Sequence, residues 1–335
     1  MATIKDVAKR AGVSPSTASR AMHDSSLISE ETKKKVRQAM KELDYSPNFA
    51  AQNLARQTSN TIGVILPARE DEVGDNPFFI QIIQGLATIC NAHDQLVSVA
   101  TGQTSAELIK NIKTMIKRGN VTNFVFVYSM ANDPVLEFIK QHEKIHYVVI
   151  GSPYMDTKNC YYVDNDNQKA GYDVTKFLLA KGLETIVYMH TDLNEKVQKA
   201  RFMGYKQAMK EAGLEVLELS FEVDEKKTVH ELSKLAKGKK KIGVIACDDI
   251  LAIDIQQLAE QERTLADKLA LVGFNNSFLA KLARPSLTSV EIFPRFLGSE
   301  AAALAINSKG RDTLKLDTDH VIVPHKIIER DSTKF

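Results

Sequence analysis

Residues 3–22 constrain the fold of this chain more than any other stretch, because they hold two short helical patterns around a tight turn. The segment reads TIKDVAKRAGVSPSTASRAM. Gly12 stands where the first helix must end and the chain must reverse, which favours a residue that tolerates positive φ. Ser14 is placed to cap the second helix, and Pro15 suits its first position. The spacing therefore predicts a helix-turn-helix.

The two helical patterns also predict a small shared core and a polar face. Apolar residues recur at helix spacing and can meet inside the motif, namely Val7, Ala8, Val13, Ala18 and Ala21. The second helix then presents Ser16, Thr17 and Arg20 on one side, the arrangement with which such a motif reads the major groove of DNA. Double-stranded DNA is therefore the first partner that the sequence predicts.

The distribution of charge agrees with DNA contact by one end of the chain. Residues 1–60 hold 10 Lys and Arg against 6 Asp and Glu, a net charge of +4. The whole chain holds 44 against 42, so the remainder holds 34 against 36, a net charge of −2. A basic head on a near-neutral body suits phosphate binding through the head alone.

The cysteines and the N-terminus indicate a reducing compartment. Cys90, Cys160 and Cys247 are odd in number and far apart, without the CxxC spacing of a zinc site. The N-terminus has no apolar signal region, and no apolar run approaches the length that spans a membrane. We expect a cytoplasmic protein with free thiols, no bound metal and no membrane contact.

A third helix and a linker follow the motif. Ser29 is placed as a helix cap, acidic residues follow it at the positive helix N-terminus, and helix-forming residues continue to Tyr45. Residues 46–48, Ser-Pro-Asn, interrupt this helix. Residues 50–57 are a short helix-capable piece that leads to the rest of the chain, and a plain linker is the alternative for them.

From Thr61 onward, short apolar runs alternate with amphipathic helical patterns. Strands are predicted at 62–67, 96–100, 124–127, 147–150, 186–189, 242–246 and 269–274, and helices at 79–93, 106–118, 166–181 and 199–212. Alternation of this kind predicts βαβ units and parallel sheets. A body of about 270 residues is longer than one doubly wound sheet needs, so two lobes are expected.

Motifs of nucleotide-binding and hydrolytic enzymes are absent from the sequence. It has no GxGxxG, GxxxxGK[ST], HExxH or GxSxG segment. A cofactor-using α/β enzyme therefore lacks support, and no catalytic residue and no cofactor are predicted.

Seven segments resemble the lactose/galactose repressor family of bacterial transcription factors, and the resemblance covers nearly the whole chain. They are the opening TIKDVAKRAGVSPSTASRAM, YSPNFAAQNLA at 45–55, NPFF at 76–79, VDNDNQKAGYD at 163–173, RFMGYKQAM at 201–209, CDD at 247–249 and LVGFNN at 271–276. Within the family, DNPFF, VDNDN and the ending HKIIER at 325–330 resemble the maltose-operon repressors of Gram-positive bacteria.

This resemblance implies an α/β protein with an all-α helix-turn-helix head and a two-lobed body like a periplasmic binding protein. Each lobe would be a parallel-sheet α/β sandwich, and three strands would cross between the lobes. The implied parts are a DNA-binding domain at 1–49, a hinge helix and linker at 50–60, and an effector-binding and dimerisation domain at 61–335. The first lobe would comprise about 61–161 and 292–322, and the second about 162–291 and 323–335.

The resemblance also implies which head residues contact DNA. The implied positions are Thr3, Ser14, Pro15, Ser16, Thr17, Ser19, Arg20, Ser29, Tyr45, Asn48, Ala51 and Leu54. Arg20 and Ser16 are the candidates for base contacts, because Arg can donate two hydrogen bonds to guanine, worth about 1–3 kcal/mol of discrimination. Leu54 is implied to wedge into the minor groove and kink the DNA, and packing of Leu54 on the body is the alternative.

The resemblance implies an effector between the lobes, beyond the carboxyl ends of the strands. If the effector is a sugar, polar groups would bind its hydroxyls and aromatic rings would pack against its C–H surfaces. The candidates are Asn76, Phe78, Phe79, Tyr128, Ser129, Asp164, Arg201, Asp248 and Asn275. Arg201 matches the family's effector-binding arginine. Core packing is the alternative for Phe78, and a hinge hydrogen bond is the alternative for Asp164. Asp249 is expected to cap the following helix rather than to touch ligand.

Taken with the resemblance, the sequence predicts a homodimeric repressor that binds a pseudopalindromic operator and responds to a small sugar, maltose or a maltodextrin. Inducer and corepressor roles both stay open for the sugar. One alternative is a global catabolite regulator whose partner is a phosphorylated carrier protein. Another is a sugar-binding protein without a DNA role, and the head argues against it.

Overall fold

The structure is a computed structural model, and it describes residues 2–22, 24–45, 59–68, 76–154, 160–221, 225–238, 241–307 and 320–335. The chain divides into two compact units, residues 1–60 and residues 61–335. The predicted hinge segment 50–57 lies outside the described residues, as do Asn48, Ala51 and Leu54.

The described part of the first unit contains the helices α1 (Ile4–Ala11), α2 (Pro15–Met22) and α3 (Glu30–Glu42). Gly12 ends α1 with a positive φ of 70°. Ser14 Oγ accepts a hydrogen bond of 3.1 Å from the backbone N–H of Thr17 and so caps α2. Both features of the predicted turn are confirmed.

The third helix begins as predicted but ends earlier. Ser29 Oγ accepts a hydrogen bond of 3.3 Å from the backbone N–H of the third helical residue, which confirms the cap. The helix was predicted to run to Tyr45, and it ends at Glu42. Asp44 takes a positive φ of 45°, which allows the Tyr45 backbone N–H to bond the Met40 carbonyl oxygen at 2.9 Å. This 6→1 closure ends the helix because no further helical bond can form.

The three helices of the head enclose a core of small apolar side chains. Its fully buried members are Val7, Ala8, Ala18, Ala21, Val36 and Ala39. Small side chains let the three helices approach one another closely. Close approach matters in a unit of about 60 residues, because a small domain buries only a modest fraction of its surface. Partly buried side chains, Val13 and Tyr45 among them, pack around it.

Two six-stranded sheets with their helices form the second unit. The chain first forms β1 (Thr61–Ile65), α4 (Pro77–Ala92), β2 (Leu96–Ala100), α5 (Ser105–Gly119), β3 (Asn123–Phe126), α6 (Pro134–Lys140), β4 (His146–Ile150) and β5 (Tyr161–Asn165). It then forms α7 (Asn167–Ala180), β6 (Ile186–His190), α8 (Lys196–Glu211), β7 (Leu217–Ser220), α9 (Glu225–Ala236), β8 (Ile242–Ala246), α10 (Asp249–Glu260), α11 (Arg263–Ala266), β9 (Leu269–Phe274), α12 (Phe278–Leu282) and β10 (Thr288–Glu291). The last elements are α13 (Pro294–Asn307), β11 (His320–Val323), β12 (Lys326–Ile328) and a 3₁₀ turn (Asp331–Thr333).

Each sheet is the centre of one lobe. The first lobe has the strand order β11-β5-β4-β3-β1-β2, and all of its pairs are parallel. The second has the order β12-β10-β9-β8-β6-β7, parallel except for β12 against β10. The predicted fold class, a helical head with a two-lobed α/β body, is confirmed.

Alternate residues of a strand face two separate cores, which is why the strands are continuous apolar runs in the sequence. In β3, Val125 packs into the core on one face of the first sheet, and Phe124 and Phe126 pack into the core on the other face. In β6, Val187 and Tyr188 divide in the same way between the two cores of the second lobe.

Three crossovers of the described chain join the lobes: β5 to α7, β10 to α13, and β11 to β12. Strand β5 pairs with β11 as far as Asn165, where its partner is Val323. Residues 162–165 and Val323 therefore belong to the first lobe, whereas the bounds implied by the family resemblance place them in the second. The lobe to which a strand belongs is decided by the strand it pairs with. The sequence of an apolar run does not show that partner, so the lobe boundary could not be placed exactly from the sequence.

Candidate functional site

The candidate DNA-reading face lies on α2. Ser16 and Arg20 are four residues apart and both are exposed, so they lie on the same side of the helix. In the described part of the chain, the Arg20 side chain has no hydrogen bond or ion pair. Its guanidinium donors are therefore available for a base edge.

The hydroxyl groups at the start of α2 lie in one cluster. Ser14 Oγ is 2.9 Å from Ser16 Oγ and 2.8 Å from Thr17 Oγ1. Pro15, also predicted to contact DNA, is exposed beside them, and Ser19 is half-buried one turn further along. Hydroxyls beside the free backbone N–H groups of a helix N-terminus suit a phosphate oxygen.

Thr3 and Ser29, two further predicted DNA contacts, are helix N-caps. The backbone N–H and the hydroxyl of Thr3 both donate to Asp6 Oδ2, at 2.8 and 2.7 Å. These hydrogen bonds hold the pKa of the Asp6 carboxyl below its ordinary value. Tyr45 is half-buried against the core of the head. The structure therefore gives each of these three residues a role in stabilising the head.

Arg201, on α8, is the most constrained of the predicted effector residues and is only 4% exposed. Its Nε donates to Asn167 Oδ1 at 3.0 Å, and its Nη1 donates to the Cys247 carbonyl oxygen at 2.7 Å. The Phe274 ring lies against the guanidinium, with 4.0 Å from Cζ to the ring centroid. Burial lowers the pKa of Arg201. In the described residues Nη2 has no hydrogen-bond partner, so one edge of the guanidinium is left for a ligand.

Asp164, at the end of β5, uses both carboxylate oxygens within the protein. Oδ2 accepts hydrogen bonds from the backbone N–H and the hydroxyl of Ser152, both at 2.8 Å. Oδ1 accepts from the Asn165 backbone at 2.8 Å and from Asn167 Nδ2 at 3.0 Å. Burial raises the pKa of Asp164, and these hydrogen bonds and the Arg201 charge act against that shift. Its hydrogen bonds favour the alternative role of a hinge residue.

The structure corrects the prediction of which aspartate, Asp248 or Asp249, caps the helix that follows β8. Asp249 was expected to cap the following helix, but Asp248 is the cap, because its Oδ1 accepts from the Leu251 backbone N–H at 2.8 Å. Asp249 is the first helical residue and is buried, with hydrogen bonds from Ser289 Oγ at 2.5 Å and from the Ser277 backbone at 2.7 Å. The helix starts one residue earlier than expected, which moves the capping position by one.

Asn275 follows β9 at a point where the backbone turns sharply. Its φ is 94°, and its backbone N–H donates to the Val290 carbonyl oxygen at 2.9 Å. Within the described ranges its half-buried side chain has no hydrogen bond. The next residue, Asn276, is instead tied to Glu291 Oε2 at 2.7 Å and to the Arg330 guanidinium. Asn275 is thus the asparagine of this pair with a free amide.

The aromatic candidates differ in their surroundings. Phe78 is half-buried and packs against the cores of both lobes, so it lies between them. Phe79 packs against the first lobe only, and the two rings meet edge to face with centroids 5.4 Å apart. Tyr128 packs against Phe126, and its hydroxyl is hydrogen bonded to Asp133. The contacts of Phe78 agree with core packing, the alternative given for it, and they also place its ring between the two lobes.

Asn76 and Ser129, the two remaining candidates, are held by local hydrogen bonds. Asn76 Oδ1 caps α4 by accepting from the Phe78 backbone N–H at 3.0 Å. Ser129 Oγ donates to the Ser152 carbonyl oxygen at 2.7 Å. Ser129, Asp164 and Arg201 are thereby joined in one hydrogen-bonded series, which the other candidates do not enter.

The residues that complete this series were not singled out from the sequence. Ser152 and Asn167 supply its links, and Phe274 and the Cys247 carbonyl hold the arginine. Asn167 lies in the VDNDN segment, but nothing in that segment distinguishes its second asparagine from its first. A backbone carbonyl carries no sequence signal at all.

Within the described ranges, no three His, Cys, Asp or Glu side chains lie close enough together to hold a metal ion. In the same part of the chain, every helix is too short or too polar to cross a membrane.

The head and the body both match models of known families. Residues 3–48 match the model of bacterial regulatory proteins of the lacI family. Residues 59–232 match the periplasmic binding proteins and sugar binding domain of the LacI family, and residues 175–333 match a periplasmic binding protein-like domain.

Individual relatives match over most of the chain. The HTH-type transcriptional regulator MalR of Staphylococcus xylosus is 32% identical over 337 residues, covering 99% of this chain and 98% of MalR. The crystal structure of a probable maltose operon transcriptional repressor, malR, from Staphylococcus areus has a TM-score of 0.75 at 24% identity and covers 83% of this chain and 99% of that one. The lac repressor dimer bound to operator and the anti-inducer ONPF has a TM-score of 0.74 at 18% identity, covering 99% of both chains.

A helix-turn-helix head followed by a two-lobed body of periplasmic-binding-protein type defines a DNA-binding transcriptional regulator. More particularly, the chain belongs to the lacI family of bacterial regulatory proteins. Its relatives are transcriptional regulators, so the protein is not an enzyme.

Proposed function

We propose that this regulator is a repressor that binds a pseudopalindromic operator as a homodimer and responds to a small sugar, maltose or a maltodextrin, bound between its lobes. One observation carries the effector half of the proposal. Arg201 is buried beside the end of β8 with two of its nitrogens fixed by the protein and Nη2 without a partner in the described residues.

This arrangement suits a polyhydroxylated ligand. A guanidinium edge can donate to two neighbouring hydroxyls, which the point charge of a lysine copies poorly. A ligand hydroxyl that accepts from Nη2 would give this donor a partner, and a hydrogen bond to a charged group is worth about 1.5–3 kcal/mol. Phe78, between the lobes, and Asn275, with its free amide, are the further contacts that we propose. The malR name of a relative and the resemblance of DNPFF to maltose-operon repressors support maltose.

The head carries the DNA half of the proposal. Arg20 and Ser16 would contact base edges, and the hydroxyls of Ser14 and Thr17 would contact phosphates and set the register. Leu54 is assigned the minor-groove wedge on the family resemblance alone. Two heads on a dimer would read the two halves of a pseudopalindrome.

Effector and operator would be coupled by thermodynamic linkage. If the sugar binds one arrangement of the lobes more tightly and the operator binds the other, each ligand weakens the other by the same factor. A sugar with equal affinity for both arrangements would have no effect on DNA binding, however tightly it bound.

The test is operator binding by the dimer, measured against a panel of sugars, sugar phosphates and a phosphorylated carrier protein. We expect maltose or maltotriose to change operator affinity and to bind calorimetrically. The variant Arg201→Ala should fold and bind operator but lose sugar binding by roughly 1.5–3 kcal/mol, the worth of a charged hydrogen bond. Arg118→Ala, at an exposed arginine of α5, is the matched control and should leave sugar binding unchanged.

The outcomes separate the parts of the proposal. Binding of another sugar or of the phosphorylated carrier protein, with no response to any maltodextrin, would overturn the effector assignment and leave the repressor assignment standing. Unchanged sugar affinity in Arg201→Ala would move the site elsewhere. A truncated protein that begins at Thr61 should remain folded and lose operator binding, and near-full affinity of this protein would refute the role of the head.

A further inference from the structure

We propose that Asn167 is a positioning residue of the effector site, which aims Arg201 and couples it to the first lobe through Asp164. The inference rests on the proposed function, because it concerns the same arginine. Asn167 is the first residue of α7, directly after the first crossover, and is only 6% exposed. Its side chain therefore lies where the two lobes are joined.

Both ends of the Asn167 side chain are used. Oδ1 accepts from Arg201 Nε in the second lobe at 3.0 Å, and Nδ2 donates to Asp164 Oδ1 in the first lobe at 3.0 Å. Asparagine supplies one acceptor and one donor on a short side chain, whereas aspartate lacks the donor and leucine lacks both. Neither leucine nor an ionised aspartate can therefore make both hydrogen bonds of Asn167.

The series of hydrogen bonds extends to the carboxyl ends of strands in both sheets. On one side, Asp164 accepts from Ser152, and the Ser152 carbonyl oxygen accepts from Ser129, which lies just after β3. On the other side, Arg201 donates to the carbonyl oxygen of Cys247, just after β8. Asn167 is the link at which this series passes from one lobe to the other. A ligand that pulls on Arg201 therefore acts on the first lobe through Asn167.

The backbone around this link is held by a reciprocal glycine contact between α7 and α8. A Cβ at Gly171 would lie 2.0 Å from the Arg201 carbonyl oxygen, and a Cβ at Gly204 would lie 1.9 Å from the Gln168 carbonyl oxygen. The helices can approach this closely only because both positions are glycine. The close contact fixes the Arg201 backbone over the first turns of α7, so the direction of the guanidinium is set by its side-chain contacts with Asn167, the Cys247 carbonyl and Phe274.

Loss of Asn167 would leave the guanidinium held by the Cys247 carbonyl and the Phe274 ring, about which it could tilt. Nε would then be a buried donor without a partner, which is costly, and rotation toward another acceptor would point Nη2 away from the ligand. The consequence is a loss of sugar affinity without loss of the arginine itself.

The experiment uses the full chain with ¹⁵N-labelled arginine, and the Nε–H signal of Arg201 is assigned by its absence in Arg201→Lys. We expect this signal to be protected from solvent exchange in the wild type and in Asn167→Asp, whose carboxyl keeps the acceptor for Nε and can share one proton with the neighbouring Asp164 carboxyl. In Asn167→Leu we expect its exchange to be at least about tenfold faster, the effect of one lost hydrogen bond of about 1.4 kcal/mol. Asn123→Leu is the control, since Asn123 is a buried asparagine that donates to the distant Ala305 carbonyl oxygen at 2.8 Å.

Calorimetry with maltose and maltotriose supplies the second readout. Asn167→Leu should weaken binding about tenfold in the wild-type background and less than about twofold in the Arg201→Lys background, because a positioning residue acts only through its arginine. Equal losses in both backgrounds, or an Arg201 Nε–H that stays protected in Asn167→Leu, would overturn the inference. If Asn167→Leu does not fold, loss of protection in Asn167→Asp overturns it. If the wild type binds neither sugar, the proposed effector fails, and the exchange measurement still decides the role of Asn167.

Discussion

The side-chain amide of Asn165 donates a hydrogen bond of 3.0 Å to the carbonyl oxygen of Val323. Asn165 ends the strand that leads into the first crossover, and Val323 ends the strand that leads into the third. The same amide nitrogen also donates to the Ile292 carbonyl oxygen, on the second crossover, at 3.0 Å. One buried side chain therefore ties all three crossovers together.

Replacing Asn165 should destabilise the body markedly. Asn165→Ala leaves two buried carbonyl oxygens without their donor, each worth about 1–3 kcal/mol. We expect urea unfolding of the variant to show a fall of about 2–4 kcal/mol in the free energy of unfolding. Asn91→Ala, at an exposed position of α4, is the control, and its expected change is within about 0.5 kcal/mol. A similar stability of the two variants would show that the crossovers do not depend on Asn165.

Stability should depend on pH through Asp249. Burial raises the pKa of Asp249 to about 7, against hydrogen bonds from Ser289 and Ser277 that favour the charged form. Because an unfolded aspartate has a pKa of about 3.9, the folded protein keeps a proton that the unfolded chain releases between these two values. The stabilising contribution of the Asp249 proton to the free energy of unfolding is therefore complete below pH about 4. It is lost as the pH rises to about 7, at up to about 1.4 kcal/mol per pH unit.

The variant Asp249→Asn isolates this contribution, since it keeps the shape of the side chain and does not titrate. Its Oδ1 can accept from the Ser277 backbone while its Nδ2 donates to the Ser289 hydroxyl. The free energy of unfolding should fall with rising pH in the wild type relative to the variant, measured by urea unfolding from pH about 4 to about 8. A difference that is constant across this range would mean that Asp249 does not hold its proton.

Tyr154 should hold the two lobes together beyond the carboxyl ends of β4 and β6. Its hydroxyl donates to the Asn194 carbonyl oxygen and accepts from the Lys196 backbone N–H, both at 2.7 Å, and the Lys196 ammonium donates to the Pro153 carbonyl oxygen at 2.6 Å. Tyr154→Phe removes the acceptor of the Lys196 N–H. We expect hydrogen exchange of that amide to become about three- to tenfold faster, the effect of a bond worth about 0.5–1.5 kcal/mol.

A matched tyrosine provides the control for this contact. Tyr172 donates its hydroxyl to Glu211 Oε2 at 2.7 Å, within the second lobe. Tyr172→Phe should leave exchange at Lys196 unchanged. Identical exchange at Lys196 in both variants would show that the hydroxyl of Tyr154 does not hold the lobes.

Arg20 should carry sequence discrimination rather than general affinity. Arg20→Ala removes the proposed bidentate contact and should lower operator affinity by about 1–3 kcal/mol while relaxing the preference at one base pair. Arg37, paired with Asp24 at 2.6 Å on the same unit, is the control of equal charge. Arg37→Ala should leave the base preference intact, and equal changes in preference in fluorescence titrations with base-substituted operators would contradict the role of Arg20.

Much of the head could be predicted from local sequence alone. Gly12, Ser14 and Ser29 act on their own or on neighbouring backbone, so their roles are the same in any context that forms the helices. The end of α3 was predicted wrongly because a positive φ at Asp44 stops the helix, and an aspartate tolerates that conformation without requiring it.

The helix-turn-helix, the alternation of strands and helices, and the family can all be inferred from the amino-acid sequence, because each of these depends on short-range periodicity or on a linear motif. Which polar side chains meet depends instead on how the distant parts of the chain fold together. Arg201 and Asn167 are 34 residues apart in the chain, and Asn165 lies 158 residues from Val323. A hydrogen bond between distant residues depends on strand order and on the close approach of α7 and α8, and neither property is encoded in the spacing of the residues that form the bond.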